Sequence, residues 1–263
     1  MKSTSKTRKP VHPGTQDASR AVKPGKTPEA DAELFDAGVT TKDSRYLARI
    51  VEAIASDKKH PRHAGIGMQA HHAISATGMH RSSLANETRK FGYDINLLEN
   101  LVFLPCTLQG ACHLGVQPHR GNHTAPADQD NYKNDVQPMD YHDLVAQKIK
   151  NLQMGLTTNC PGFMGGAREL EARLKVKHEL DELSAKLIDL IQLSPRKAPL
   201  TQIATSFQPG SVVGCGCVDS TTTHSSLVHC SVNRNHFRNQ GKGQRSENIT
   251  FESNGKYKLQ AKR

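Results

Sequence analysis

The chain has no tryptophan, and aromatic residues make up only 5% of its 263 residues. Hydrophobic residues make up 35%, which is low for a single core that uses the whole chain. Apolar runs fall far short of the roughly 20 residues that a membrane-spanning helix needs. The basic N-terminal end is not followed by the apolar stretch of a cleaved signal peptide. We therefore expect a chain made in the cytoplasm, without a membrane span, which would leave the cell only by a route that needs no cleaved signal.

Acidic residues are in the minority. The sequence has 25 Asp and Glu against 35 Lys and Arg, which gives a net charge of +10. A basic chain favours polyanions, either nucleic acid or an acidic protein. Charge indicates this class of partner but does not choose between its members.

Cysteine is also scarce, and half of the six residues lie toward the C-terminal end. Cys215, Cys217 and Cys230, with His236, offer enough thiolates and imidazoles for a structural zinc site. The C-x-C spacing departs from the usual finger spacing and equally suits two side chains on one face of a strand. Buried free thiols and a disulfide formed after export are the alternatives.

Composition divides the chain into four segments. Residues 1–40 are rich in Lys, Ser, Thr and Pro, so we expect a disordered basic leader. Residues 41–155 carry short helical and strand patterns and are expected to form the main domain. Residues 156–195 contain an amphipathic helix that could dock on this domain, dimerise or bind a partner, and docking is the expectation. Residues 196–263 are expected to be a small, basic, β-rich segment.

Local patterns within the main domain and the helix after it predict the elements. An amphipathic helix is expected near residues 44–56, and Gly92 stands where a glycine ends a later helix. The other expected elements are an extended segment 67–74, a helix from Ser82 or Ser83 to about Lys90, a strand Leu101–Leu104, a helix capped by Asp140, and the long helix 167–193.

Three groups of polar residues follow one another in the main domain. His71 and His72 are adjacent, and adjacent side chains of a strand point to opposite faces, which would give the two rings different tasks. Asn100 stands directly before the short apolar strand. His119 and His123 are four residues apart, the spacing that places two ligands on one face of a helix, and a short helix is considered there.

These groups resemble the AHH branch of the HNH/endonuclease VII superfamily of metal-dependent nucleases. Ala70-His71-His72 matches the signature that names the branch. The stretch 92–96 is similar to the segment that precedes the family's asparagine, and the stretch 100–105 is similar to the asparagine and strand that follow. The resemblance covers about residues 66–153.

The resemblance implies an α+β fold with a ββα-metal core and surrounding helices. It implies that His72 is the general base and Asn100 the central asparagine, which orients the base or completes the metal shell. It also implies that His71, His119 and His123 hold a divalent cation. Mg²⁺ is the first expectation because it is abundant in cells, although imidazole ligands suit Mn²⁺, Zn²⁺ or Ni²⁺ better. A neutral imidazole can accept a proton near neutral pH, as the base role requires.

The resemblance further implies hydrolysis of nucleic acid, with DNA favoured. It implies an antibacterial toxin, of the kind that a type VI or related secretion system delivers into a target cell. The expected partners are nucleic acid, an acidic immunity protein and a component of the secretion apparatus. The alternatives are an RNase of the same fold, a housekeeping or phage nuclease, and a non-catalytic, zinc-containing nucleic-acid-binding protein.

Overall fold

The structure is a computed structural model of the whole chain. The residues that it describes are 42, 45–107, 110–111, 114–119, 122–127, 139–152, 167–201, 204, 250–251 and 257–263. The predicted leader, the set Cys215, Cys217, Cys230 and His236, and most of the predicted β-rich segment lie outside the described residues.

The described residues form a mixed α/β structure with a small two-stranded sheet. The elements are α1 (Tyr46–Ala53), β1 (Met68–His72), α2 (Ala76–Arg81), α3 (Ala85–Lys90), β2 (Leu101–Pro105), α4 (Tyr141–Asn151) and α5 (Ala167–Leu193). Short 3-10 helices span Pro61–Ala64 and Leu98–Asn100. Among the described residues, no helix is both long and apolar enough to cross a membrane.

The two strands run antiparallel, with His71 opposite Val102 and His72 opposite Leu101. Directly opposed residues share a face of the sheet, and the faces alternate along each strand. His71 and Val102 therefore face one side, and His72 and Leu101 face the other. The sequence prediction of an extended segment that carries the two His residues is confirmed.

Helices cover both faces of this small sheet. On the face of Leu101 and Phe103, the sheet packs against Ile50 of α1 and against Ile54, the residue that follows this helix. On the opposite face, Val102 and Leu104 belong to the main core. The sheet thus lies between α1 and the main core, so that β2 is apolar and buried on both faces.

Helices α2 and α4 lie close together at the end of β1. Gly78 in α2 makes this approach feasible, because a Cβ there would lie 2.5 Å from Cγ1 of Val145. Asp140 and Asp143 form a capping box at the start of α4, as the sequence predicts for Asp140. Helix α2 was not predicted, although Ser75 caps it by accepting a hydrogen bond from the backbone of Gly78.

The predicted helix that ends near Lys90 begins later than expected. Leu84 occupies its N-cap position, and Ser83 has a left-handed φ of 64°, so neither predicted serine caps the helix. Gly92 has a φ of 80°, which confirms its role in ending that helix.

Helix α5 docks on the main core, as expected. Its buried residues begin at Ala172 and end at Ile191, whereas Leu170 and Leu174 are 54% and 52% exposed. The C-terminal residues pack beside it, because the side chain of Gln192 bonds the backbone of Tyr257 and Leu259. The backbone N–H of Phe103 in β2 donates to the carbonyl of Arg263. Helix α5 and residues 257–263 therefore pack against the core that holds the sheet.

Candidate metal centre

Three imidazoles meet beside β1. One potential ligand atom from each of His71, His119 and His123 lies within 4.8 Å of the other two. The ring centroids of His71 and His119 are 4.9 Å apart, and those of His119 and His123 are 4.8 Å apart. The structure therefore brings together the three residues that were predicted as metal ligands.

The other nitrogen of His119 and of His123 is held by an oxygen. Nδ1 of His123 lies 3.1 Å from the backbone carbonyl of Leu200, and Nδ1 of His119 lies 3.0 Å from Oε1 of Gln69. Because these oxygens can only accept, each Nδ1 carries the proton and each Nε2 keeps its lone pair. This is the arrangement by which proteins orient imidazole ligands of metals.

Tyr141 fixes the third ring in the same way. Its hydroxyl donates to the carbonyl of Ala73 at 2.7 Å and lies 3.4 Å from Nε2 of His71. Having given its proton to Ala73, the hydroxyl can only accept from His71. The lone pair of His71 is thereby left on Nδ1.

Burial keeps the three rings neutral. Desolvation, followed by the charges of His119 and His123, holds the pKa of His71 well below its usual range. Burial and then His123 lower the pKa of His119 to about 3, and burial also lowers the pKa of His123. The positive charge of Lys42 acts in the same direction on all three. Neutral imidazole is the form that binds a metal ion.

The three residues fit a divalent cation. Three neutral imidazoles, each with its second nitrogen held by an oxygen, are the donor set that Zn²⁺, Ni²⁺ and other first-row metals prefer. His119 is the more accessible member, since it is half-buried and its partner Gln69 is exposed, whereas His71 and His123 are buried.

A short helix was considered around His119 and His123. This prediction is wrong at the residues of this stretch that the structure describes. His119 and His123 lie in irregular backbone, and His123 has a left-handed φ of 58°. The four-residue spacing therefore does not bring the two rings together on one face of a helix. The rings converge because Gln69 and Leu200 hold them from two sides.

His72 lies on the opposite face of the sheet, buried beside α1. Its Nε2 atom lies 3.0 Å from Oδ1 of Asn96, and its ring centroid lies 4.6 Å from that of Tyr46. His72 is still close enough for its charge to affect the pKa values of His71 and His119. The expected division of the two rings between opposite faces is what the structure has.

Asn100 is fully buried and bonds to backbone groups. Its Oδ1 accepts from the N–H of Ile74 at 2.6 Å, and its Nδ2 donates to the carbonyls of Ile74 and Ile95 at 3.0 and 2.8 Å. The hydroxyl of Ser184 in α5 donates to Oδ1 at 3.1 Å. Asn100 therefore ties the residues that follow β1 to those that precede β2.

Sequence reasoning missed several residues that orient the rings. Gln69 is two residues from His71 and so shares its face of β1, a signal that could have identified it. Tyr141 was not identified as a residue that orients a ring. The Leu200 carbonyl gave no signal, because a backbone group far along the chain has no pattern that relates it to His123.

The comparisons with known proteins agree with the motifs. Residues 54–160 match the model of a family described as a nuclease family of the HNH/ENDO VII superfamily with conserved AHH. The matched segment contains the three clustered imidazoles, His72 and Asn100. A search of curated proteins and a search of solved structures each found no match. The resemblance inferred from the motifs is thereby confirmed: residues 54–160 match the AHH nuclease family of the HNH/endonuclease VII superfamily.

Proposed function

We propose that this protein is a metal-dependent endonuclease that hydrolyses phosphodiester bonds of nucleic acid. The observation that carries the proposal is the group of three imidazoles within 4.8 Å of one another, which lies inside the segment that matches a nuclease family. A net charge of +10 suits a polyanionic substrate. In this proposal β1, β2 and α4 are the ββα-metal core, with the cation beside His71, His119 and His123.

Each residue has a task in this scheme. When bound, a divalent cation neutralises charge that develops on the phosphate and on the leaving oxygen. His71, His119 and His123 hold it through their remaining lone pairs. His72 accepts the proton of the attacking water, and Asn100 fixes the backbone that carries His72. Lys42, whose charge acts on the three clustered rings, attracts the phosphate backbone.

The metal is proposed as Mg²⁺, Mn²⁺, Zn²⁺ or Ni²⁺. Mg²⁺ is the most abundant of these in cells, whereas the all-imidazole donor set favours the transition metals. Dialysis against EDTA followed by reloading with one metal at a time will rank them by the cleavage rate that each restores.

The experiment that tests the function uses purified protein with plasmid DNA and, separately, total RNA. We expect cleavage that EDTA abolishes and a divalent metal restores, with DNA cut faster than RNA. His178→Ala is the matched control, because this imidazole lies on α5 with its side chain 75% exposed. Binding of nucleic acid without turnover in any metal would instead favour the non-catalytic alternative.

The base role of His72 is tested separately. His72→Ala should lower the cleavage rate by about 10² to 10⁴-fold at saturating metal, the usual contribution of general-base catalysis. His71→Ala should instead weaken metal binding. Wild-type cleavage by His72→Ala at saturating metal would place the base elsewhere.

We further propose that the nuclease is an antibacterial toxin that is secreted without a cleaved signal and acts in the cytoplasm of a target cell. This rests on the family resemblance and on the basic charge, which suits neutralisation by an acidic immunity protein. Expression in an unprotected bacterium should arrest growth, and His71→Ala should relieve the arrest. Normal growth at a level of expression that gives measurable nuclease in the lysate would favour a housekeeping or phage role.

A further inference from the structure

A chain of buried hydrogen bonds leads from Asp94 through Asn96 to His72. The side chain of Asn96 donates from Nδ2 to Oδ1 of Asp94 at 2.7 Å. Its Oδ1 lies 3.0 Å from Nε2 of His72. All three side chains are buried, and in such surroundings hydrogen bonds are stronger than in water and an unpaired polar group is costly.

The direction of this chain follows from one group that can only donate. The backbone N–H of Asn96 donates to Oδ1 of Asp94 at 2.8 Å, so that this oxygen is an acceptor. The atom of Asn96 that faces the same oxygen must then be its NH₂ group, and the atom that faces His72 must be its carbonyl oxygen. A carbonyl oxygen can only accept, and therefore Nε2 of His72 carries the proton.

We propose that Asp94 and Asn96 are positioning residues that hold His72 in the tautomer with its proton on Nε2 and its lone pair on Nδ1. Nδ1 is then the atom that takes a proton from the attacking water. This inference rests on the proposed nuclease function, and it adds which nitrogen of the base acts and which residues select it.

The arrangement also separates the two histidines of the pair. His71 and His72 lie on opposite faces of β1, and different groups orient them: Tyr141 in α4 orients His71, whereas Asn96, which follows α3, orients His72. Substitution of Asn96 or Asp94 should therefore affect proton transfer by His72 without affecting the proposed metal ligands. Loss of a residue that acts only on stability would not lower proton transfer while leaving metal binding unchanged.

The tautomer is measured directly by NMR on ¹⁵N-labelled, EDTA-dialysed protein. His72 is assigned by the signals that are lost in His72→Ala. We expect a protonated Nε2 and an unprotonated Nδ1 in the wild type, with an Nε2 proton protected from exchange with water. In Asn96→Leu that protection should be lost. A wild-type ring with its proton on Nδ1 would overturn the proposal, whatever the activity of the protein.

Kinetics supply the second readout. Asn96→Leu should lower kcat by about 10- to 100-fold, the usual effect of losing a partner that orients an imidazole, while KM and the dissociation constant for Mn²⁺ stay within about twofold. Asp94→Asn keeps an acceptor oxygen but no longer enforces the orientation of Asn96, so its kcat should fall by less. Thr88→Val is the matched control, since Thr88 is also fully buried and its hydroxyl bonds to the carbonyl of Leu84.

The outcomes separate this proposal from the proposed function. A folded Asn96→Leu variant with wild-type kcat would overturn the positioning role while leaving the nuclease function intact. A wild-type protein that cleaves nothing in any metal would overturn the nuclease function, and the NMR result would still decide the tautomer.

Discussion

The side chain of Asn100 and the backbone of Ile74 make two reciprocal hydrogen bonds, one from the N–H of Ile74 at 2.6 Å and one to its carbonyl at 3.0 Å. Ile74 lies two residues after His72 at the end of β1, and Asn100 directly precedes β2. A single buried amide thus links the two strands beyond the ends of their ladder. Loss of this amide should first lower the stability of the fold. It should also lower activity, because the backbone that it holds follows His72 directly.

Asn100→Ala should therefore reduce stability as well as activity. The change leaves the N–H of Ile74 and the carbonyls of Ile74 and Ile95 without this partner in a buried site, and each such loss costs about 1–3 kcal/mol. We expect the free energy of unfolding, measured by urea denaturation, to fall by about 2–4 kcal/mol, and the cleavage rate to fall with it. Asn100→Asp keeps the acceptor for Ile74 but loses the donor to the carbonyls of Ile74 and Ile95 and places a buried carboxylate against them, so it should also be destabilised. An Asn100→Ala protein of wild-type stability would refute this role.

Gln69→Ala should weaken metal binding without unfolding the protein. Gln69 is exposed, so that its loss costs little stability, but its Oε1 atom orients His119. We expect the dissociation constant for Mn²⁺, measured by titration calorimetry, to rise about tenfold or more. Gln69→Glu keeps the acceptor and should bind Mn²⁺ more tightly than Gln69→Ala. Gln147→Ala, on the exposed side of α4, is the control, and equal affinities in all variants would show that His119 needs no such partner.

Gln117→Leu tests whether the end of α5 and residues 194–200 hold the proposed metal site in place. The side chain of Gln117 donates to the carbonyls of Ile191 and Ala198, both at 2.9 Å, and accepts from the N–H of Leu200 at 2.8 Å. The carbonyl of Leu200 in turn holds His123. We expect a loss of about 2–4 kcal/mol in the free energy of unfolding and weaker binding of Mn²⁺. Lower stability with unchanged Mn²⁺ affinity would mean that this segment supports the core but not the site.

The stability of the metal-free protein should fall as the pH falls below about 6.5. Burial lowers the pKa of His60 to about 4 and that of His119 to about 3, whereas both groups titrate near 6.5 in an unfolded chain. Below that pH the unfolded state binds protons that the native state excludes, so acid favours unfolding. Urea denaturation between about pH 7 and pH 5 should show this slope.

A variant identifies the source of that pH dependence. His119→Ala removes one of the excluded protons and should flatten the slope, whereas His178→Ala, at an exposed position of α5, should not. Stability that is constant from pH 7 to pH 5 in the wild type would contradict the neutral, desolvated state of the clustered rings.

Local patterns predicted most of the elements, and the family resemblance named the proposed ligands. Helix α4 carries its capping residue Asp140 in the sequence, and alternation along a strand separates His71 from His72. Helix α2 was missed because it is short and contains Gly78, whose role is the close approach of Val145. That approach is a tertiary contact, which a local pattern does not record.

The orienting groups were harder to predict for a physical reason. Leu200 acts through its backbone carbonyl, which every residue has, and it lies 77 residues from His123. Asn96 was read as part of a motif, but its partner His72 is 24 residues away. Protein ligands of transition metals are mostly His, Cys, Asp or Glu and are therefore visible in a sequence, whereas their hydrogen-bond partners can be almost any residue.

His71, His119 and His123 are proposed to hold a cation that cleavage requires. The most direct test is the rate of plasmid cleavage by EDTA-dialysed protein as Mn²⁺ is added, for the wild type and for His71→Ala. We predict no cleavage before addition, a saturable rise for the wild type, and a rise for His71→Ala only at much higher Mn²⁺. A wild-type protein that cleaves at its full rate in excess EDTA would contradict the account.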